Sequence, residues 1–234
     1  MAEIHIATID GTSFAGKTTL LEGISHANSN IQRIEEYDAY AGGFINFPDF
    51  PPTDEQAARD GIDCIVRLDQ MRTPDIRRKS ADGAIVVTDR SVLSCILFQD
   101  TVRRLMPHIP NAYQYCLEAF LRAHDAGEVI FPNSLIYLEA VNVETFNKRV
   151  GRRGRTPIDF LSSEEAYYFT REWFSKLISQ HYATDNSILL QSEDGRLDEL
   201  VANAMAFLQN SSYQGDTRLM LETLLANCNR LELS

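Results

Sequence analysis

The sequence lacks the features that mark several classes of protein. No apolar run reaches about 18 residues, the length that a membrane-spanning helix needs, and no basic patch or signal-like segment precedes the first apolar run. Only four cysteines occur, none in C-x-x-C spacing, so we expect thiols in a reducing cytoplasm rather than disulfides or a zinc site. The net charge of −11 argues against a nucleic-acid polymer as a partner, because affinity for a duplex comes mainly from cation–phosphate contacts.

What is present is a regular alternation of two hydrophobic patterns along 234 residues. Apolar, β-branched runs indicate buried parallel strands at residues 4–9, 31–35, 84–88, 134–138 and 187–190. Helical patterns cover residues 17–27, 56–78 (with a potential break at Pro74), 92–105, 112–126, 143–150, 163–181, 196–209 and 217–231. This alternation predicts a three-layer α/β/α sandwich with a five-stranded parallel sheet over residues 1–209. Residues 210–234 are expected to form a helical extension of this domain, as an appendage or an oligomer contact.

A glycine-rich loop of the form G-x-x-x-x-G-K-[ST] joins the first strand to the first helix. Its glycines let the backbone turn N–H groups toward a phosphate chain, and the helix N-terminus adds positive potential. Lys17 is expected to reach the β- and γ-phosphates, and the Thr18 hydroxyl to ligate Mg²⁺. The predicted nucleotide site consists of Gly11, Thr12, Ser13, Phe14, Ala15, Gly16, Lys17, Thr18 and Thr19.

Acidic residues follow two of the other predicted strands, at the sheet edge where parallel α/β proteins bind ligands. Glu35 and Glu36 end the second strand, and only one of them can face the site, because side chains alternate along a strand. That one could receive a proton from an acceptor, although both could also be solvated. Asp89 ends a buried strand and needs a partner, for which Mg²⁺ or Lys17 is suited; capping of the next helix is the alternative.

Five cations fall within residues 148–155 of an otherwise acidic chain. Glycines interrupt this run and Pro157 follows it, so it is expected to form a mobile loop. Arginines on a loop that closes over ATP can neutralise charge that develops during phosphoryl transfer and can exclude water. The run therefore predicts a lid at residues 149–160, with a solvated charged face as the alternative.

Together these motifs resemble the nucleoside and nucleotide kinases, and most closely the branch that unites deoxyribonucleoside kinases with thymidylate kinases. The resemblance spans residues 4–181. Glu36 lies where deoxyribonucleoside kinases place their catalytic glutamate, and Asp89-Arg90-Ser91 is similar to their Glu-Arg-Ser motif. The resemblance implies that Asp89 acts near the metal and Arg90 at the acceptor and phosphates. It also implies that three lid arginines hold ATP phosphates: Arg149, Arg153 and Arg155.

This sequence also departs from these families at positions that recognise the acceptor. Tyr37 stands where deoxyribonucleoside kinases carry proline after the glutamate, and Cys95 stands where they carry an acid that reads the base. Arg72 falls on the helix where both families place acceptor-binding Gln or Arg, so acceptor binding is its expected role, with a surface arginine as the alternative. Three phenylalanines after the second strand could stack on a base or pack into the core: Phe44, Phe47 and Phe50.

The function that this sequence favours is phosphoryl transfer from ATP, with Mg²⁺, to a nucleoside or a nucleoside monophosphate. Glu36 would serve as base only for a hydroxyl acceptor, since a phosphate oxygen is already nucleophilic at neutral pH. Two alternatives remain open at this point: a kinase for another small hydroxylated metabolite or antibiotic, and a non-catalytic ATP-binding regulatory module. No membrane partner is expected, and a homodimer is compatible with the sequence. The base of the donor is expected near residues 191–195.

Overall fold

The computed structural model describes residues 5–43, 46–81, 83–153, 159–182 and 185–232. A central sheet contains five parallel strands in the order β2-β3-β1-β4-β5. These strands are β1 (Ile6–Gly11), β2 (Ile31–Ile34), β3 (Ile85–Asp89), β4 (Ser134–Ala140) and β5 (Ser187–Ser192). The predicted five-stranded parallel sheet is therefore confirmed.

The strand residues alternate between two cores because successive side chains in a strand point to opposite faces. In β4, Ile136 and Leu138 join one apolar cluster, whereas Leu135 and Tyr137 join a second cluster on the other face. All seven residues of β4 are buried. A strand that is covered on both faces needs apolar residues at nearly every position, which explains the continuous apolar runs.

Helices cover both faces of this sheet, and α1 and α8 pack together on one of them. The larger core on the other face includes residues from α3, α4, α5, α7 and α9. The helices are α1 (Lys17–Ala27), α2 (Tyr37–Ala41), α3 (Glu55–Lys79), α4 (Val92–Leu105), α5 (Tyr113–Asp125), α6 (Val143–Arg153), α7 (Glu164–His181), α8 (Leu197–Asn210) and α9 (Thr217–Glu232). The predicted three-layer sandwich is confirmed. Within the described residues, every helix is too short or too polar to cross a bilayer.

Helices α3 and α9 differ from the sequence-based expectation. Helix α3 runs through Pro74 without a break, because its buried face continues on both sides of the proline, with Val66 and Ile76 in the core. Helix α9 packs against α5 and α7 and buries Met220 and Leu221 completely. It is an integral part of the larger core, not an appendage.

Candidate functional site

The glycine-rich loop connects β1 to α1 at the carboxyl edge of the sheet. Gly11 still belongs to β1, and a Cβ there would lie 1.9 Å from the Leu138 carbonyl oxygen of β4. Gly16 has φ of +92° and open space where a Cβ would project. The first glycine is therefore required by close strand packing, and the second by the turn that starts α1.

Lys17 lies under this loop and is buried. Its Nζ donates hydrogen bonds to the carbonyl oxygens of Thr12 (2.8 Å) and Gly11 (3.4 Å). Burial, with the nearby Arg90 cation, lowers the pKa of Lys17 to about 7. An anion bound in the loop would oppose both effects and favour the charged ammonium.

Thr18 and Asp89 meet at the same edge of the sheet. The Thr18 hydroxyl donates to Asp89 Oδ2 over 2.7 Å. The second oxygen, Oδ1, is buried without a hydrogen-bond partner among the described residues, and burial, followed by the charge of Glu36, raises the pKa of Asp89. Such an oxygen beside a hydroxyl suits Mg²⁺, which is usually held by one or two carboxylates and by substrate phosphates. The N-cap of α4 is Ser91, whose hydroxyl oxygen accepts a hydrogen bond from Leu93 N–H. The capping alternative for Asp89 is therefore wrong.

Glu36 and Arg90, which lie just past the ends of β2 and β3, form an ion pair at the carboxyl edge of the sheet. Arg90 Nε donates to Glu36 Oε1. Burial alone would lower the pKa of Arg90, but Glu36 and Asp89 raise it, so the guanidinium is firmly charged. Glu35 lies just past the end of β2 and pairs instead with Arg33 over 2.5 Å. Of the two acids left open by the sequence, Glu36 is the one beside Arg90 and Asp89.

Arg72 is a buried residue of α3, so the surface alternative for it is wrong. Its side chain is 1% exposed and donates to Asp69 Oδ1 over 3.0 Å. Its Cζ lies 4.5 Å from the centre of the Tyr37 ring. Burial raises the pKa of Asp69, and the Arg72 cation opposes this shift. Arg72 therefore lies beside the site, but its side chain is buried in the protein interior.

Asp10 is a buried site residue that the sequence reasoning missed. It follows Ile9 in β1 and accepts hydrogen bonds from three hydroxyl groups: Thr8 (3.0 Å), Ser91 (2.7 Å) and Ser94. Ser94 in turn accepts from Arg90 Nη1 over 3.4 Å. An acid near the end of an otherwise apolar strand was the signal that singled out Asp89, and it applies equally to Asp10.

In the lid region α6 continues to Arg153, three residues beyond the helical pattern predicted at 143–150, so this part of the lid is helical and not a loop. Arg149 donates from Nη1 to the carbonyl oxygens of Phe14 and Ala15 (3.3 Å each) and to Ser192 Oγ (2.7 Å). Arg149 and Arg152 both pair with Asp194 (3.2 and 2.8 Å). The structure therefore brings Arg149 to the glycine-rich loop. The Arg153 side chain, Arg155 and most of the rest of the predicted lid lie outside the described residues.

The glycine-rich loop and α6 are also joined by apolar contacts. Phe14, at φ of +59°, packs its ring edge-on against Phe146 of α6, with centroids 5.9 Å apart. In a separate cluster, Phe50 contacts Phe98 and Phe160 with centroid distances of 5.4 Å each. Phe50 therefore packs within an aromatic cluster. Phe44 lies outside the described residues.

A solved structure of deoxyadenosine kinase from M. mycoides, with the products dCMP and a flexible dCDP bound, is similar to this chain. The TM-score is 0.60 at 16% sequence identity, over 87% of this chain and 98% of that one. No protein-family model matches the chain, and no curated protein is significantly similar to it. The similarity shows that this chain has the fold of the P-loop deoxynucleoside kinases, which confirms the fold that the motif resemblance implied.

Proposed function

We propose that this chain is an ATP-dependent kinase that phosphorylates the hydroxyl group of a nucleoside. The observation that carries the proposal is the pairing of Glu36 with Arg90 beside the contact between Thr18 and Asp89. Glu36 is available to a substrate hydroxyl and Asp89 to a metal ion, and both lie at the same edge of the sheet as the phosphate-binding loop.

The donor half of the site would bind ATP through the glycine-rich loop. Its backbone N–H groups and Lys17 would hold the β- and γ-phosphates, and Thr18 and Asp89 would hold Mg²⁺. Bound Mg²⁺ supplies positive charge that neutralises the phosphate oxygens during transfer. Arg149 already contacts the loop, and together with Arg153 and Arg155 it would stabilise the migrating group. Among the described residues, no cluster of three or more His, Cys, Asp or Glu side chains is arranged to hold a metal ion.

In the acceptor half, Glu36 is the proposed general base. The acceptor oxygen loses its proton to the Glu36 carboxylate and forms a bond to the γ-phosphorus, while the bond from that phosphorus to the bridging oxygen of ADP breaks. Arg90 holds the carboxylate in place and offers positive charge to the transferred group. General-base help of this kind contributes about 10²–10⁴-fold to a rate.

The charges around Glu36 favour a hydroxyl acceptor over a monophosphate. A monophosphate would bring about two negative charges beside an acid that is itself an anion. The described guanidinium groups nearby already have carboxylate partners: Arg90 pairs with Glu36, Arg72 with Asp69 and Arg33 with Glu35. An uncharged nucleoside requires no further cation in this half of the site.

One observation favours a second candidate function, a kinase of a different small hydroxylated compound. Cys95 stands where the resembling kinases carry a base-reading acid. Burial raises its pKa, with Asp69 adding to the effect, so the thiol is neutral. A neutral thiol is a poor substitute for a carboxylate that accepts two hydrogen bonds from a base.

A product assay tests both candidates. The protein is incubated with Mg²⁺ and ATP and, separately, with each nucleoside, each nucleoside monophosphate and a panel of hydroxylated metabolites. We expect a phosphorylated nucleoside that disappears in Lys17→Met. Phosphorylation of only a non-nucleoside compound would establish the second candidate. Binding of ATP with no product from any acceptor would point to a regulatory module.

A further inference from the structure

The turn at residues 89–91 has a backbone conformation that needs support. Arg90 has φ of +61°, in the left-handed region that residues with a Cβ rarely adopt. Arg72 Nη2 donates to the carbonyl oxygen of Asp89 over 3.2 Å and to that of Arg90 over 2.9 Å. The carbonyl groups on both sides of the unusual φ angle thus share one guanidinium. Backbone strain of this kind persists only where the surroundings fix it.

Arg72 is itself enclosed on its other sides. Asp69 accepts from Nη1, and the Tyr37 hydroxyl donates to the other oxygen of the same carboxylate over 3.0 Å. The Tyr37 ring lies 4.5 Å from the guanidinium carbon. Nε is buried and has no hydrogen-bond partner among the described residues. A guanidinium enclosed in this way offers no accessible face to an acceptor that enters from solvent.

We propose that Arg72 is a positioning residue, which holds the turn at residues 89–91 so that Arg90 meets Glu36, and that it does not contact the acceptor. This inference rests on the proposed kinase function, in which the pair of Glu36 and Arg90 acts on the acceptor. On the opposite side, Asp10 accepts hydrogen bonds from Ser91 and Ser94. Loss of Arg72 therefore removes the hydrogen bonds to the carbonyl groups of Asp89 and Arg90, while the side-chain contacts of the turn remain.

Steady-state kinetics of four proteins test the proposal: the wild type, Arg72→Gln, Arg90→Gln and the double variant. If Arg72 acts through Arg90, Arg72→Gln lowers kcat by about 10²-fold, the cost of misplacing a catalytic group by roughly 1 Å. The acceptor KM stays within about threefold, because no acceptor contact is lost. In the Arg90→Gln background, Arg72→Gln has less than about a threefold further effect.

Arg78→Gln is the matched control, since Arg78 lies on the same helix with a side chain that is 71% exposed. It should leave kcat and KM unchanged. The proposal is overturned if Arg72→Gln raises the acceptor KM at constant kcat, which indicates direct binding. It is also overturned if the effects of the two single variants multiply. If Arg72→Gln does not fold, Arg72→Lys replaces it in the same cycle, because an ammonium lacks the planar fork.

A second measurement requires no turnover and separates this inference from the kinase proposal. Arginine side-chain NMR reports exchange of the Arg90 Nε–H with solvent, assigned by its loss in Arg90→Lys. We expect slow exchange in the wild type, where Nε donates to Glu36, and at least tenfold faster exchange in Arg72→Gln or Arg72→Lys. Unchanged exchange in a folded variant refutes the positioning role, whatever reaction the protein catalyses. Faster exchange without any kinase activity would uphold the positioning of Arg90 and reject the proposed function.

Discussion

Replacement of Glu36 by Gln removes the proposed base with almost no change in shape. We expect kcat for a hydroxyl acceptor to fall by about 10²–10⁴-fold, the usual contribution of a general base. The fold should survive. The side chains of Glu36 and Arg90 are 27% and 29% exposed, and partly exposed ion pairs contribute about 0–1 kcal/mol to stability. For a chain of this size that corresponds to a shift in Tm of no more than about 4 °C.

Glu35→Gln is the matched control, because the neighbouring acid pairs with Arg33 and not with Arg90. Its kcat should remain within about twofold of the wild type. The assay couples ADP formation to a spectrophotometric signal at saturating ATP, with thermal unfolding measured on the same samples. Full activity in Glu36→Gln would refute the base assignment. Loss of activity in Glu35→Gln alone would show that the wrong acid had been chosen.

Three further predictions concern the donor site, the last helix and pH. Lys17→Met and Asp89→Asn should each lower kcat by about 10²-fold or more, because each removes a preorganised electrostatic contact; normal turnover in both would contradict the donor site. Truncation after residue 216 removes Met220 and Leu221, both 0% exposed. It should cost about 3–6 kcal/mol of unfolding free energy, at 1.5–3 kcal/mol for each side chain, and an unchanged Tm would contradict the packing of α9. Burial lowers the pKa of His181 below 6.5, so the unfolded chain binds the proton more readily and stability falls as the pH drops from 6.5 through the folded-state pKa. His181→Gln should lose less stability than the wild type over that range, as measured by urea unfolding at pH 7 and pH 5.

Local patterns predicted the sheet and most helices because burial on both faces leaves a continuous apolar run. The limits of α1 and α4 were predicted correctly, at Lys17–Ala27 and Val92–Leu105. The first strand was placed at residues 4–9, but β1 extends to Gly11, which pairs with Leu138 of β4. That pairing is a tertiary contact, and the sequence alone does not reveal it.

The site was only partly accessible to sequence reasoning. The motifs singled out Thr18, Asp89 and Glu36. The contacts among these residues depend on the order of the strands in the sheet, which the motifs do not specify. For Arg72 the sequence predicted acceptor binding and left a surface position open as the alternative, because an arginine in a helical pattern usually faces water. Here it shares the buried face of α3 with Asp69 and Ile76. The roles of these residues in catalysis stay predictions.

The continuation of α6 to Arg153 was not predicted, because it depends on a tertiary contact. Gly151 costs a helix about 1 kcal/mol relative to alanine, so a break near it was expected. Asp194, in the loop after β5, pairs with Lys148, Arg149 and Arg152 and thereby holds the last turns of α6. This carboxylate lies more than forty residues away in sequence.

Mass-spectrometric detection of the phosphorylated product is the most direct measurement of the central claim. The protein, Mg²⁺ and ATP are incubated with an equimolar mixture of nucleosides and, in a separate reaction, with an equimolar mixture of nucleoside monophosphates. The account predicts that at least one nucleoside gains a single phosphoryl group, that no monophosphate becomes a diphosphate, and that Glu36→Gln lowers the rate of product formation by about 10²–10⁴-fold. Conversion of a monophosphate to a diphosphate at an undiminished rate in Glu36→Gln would contradict it.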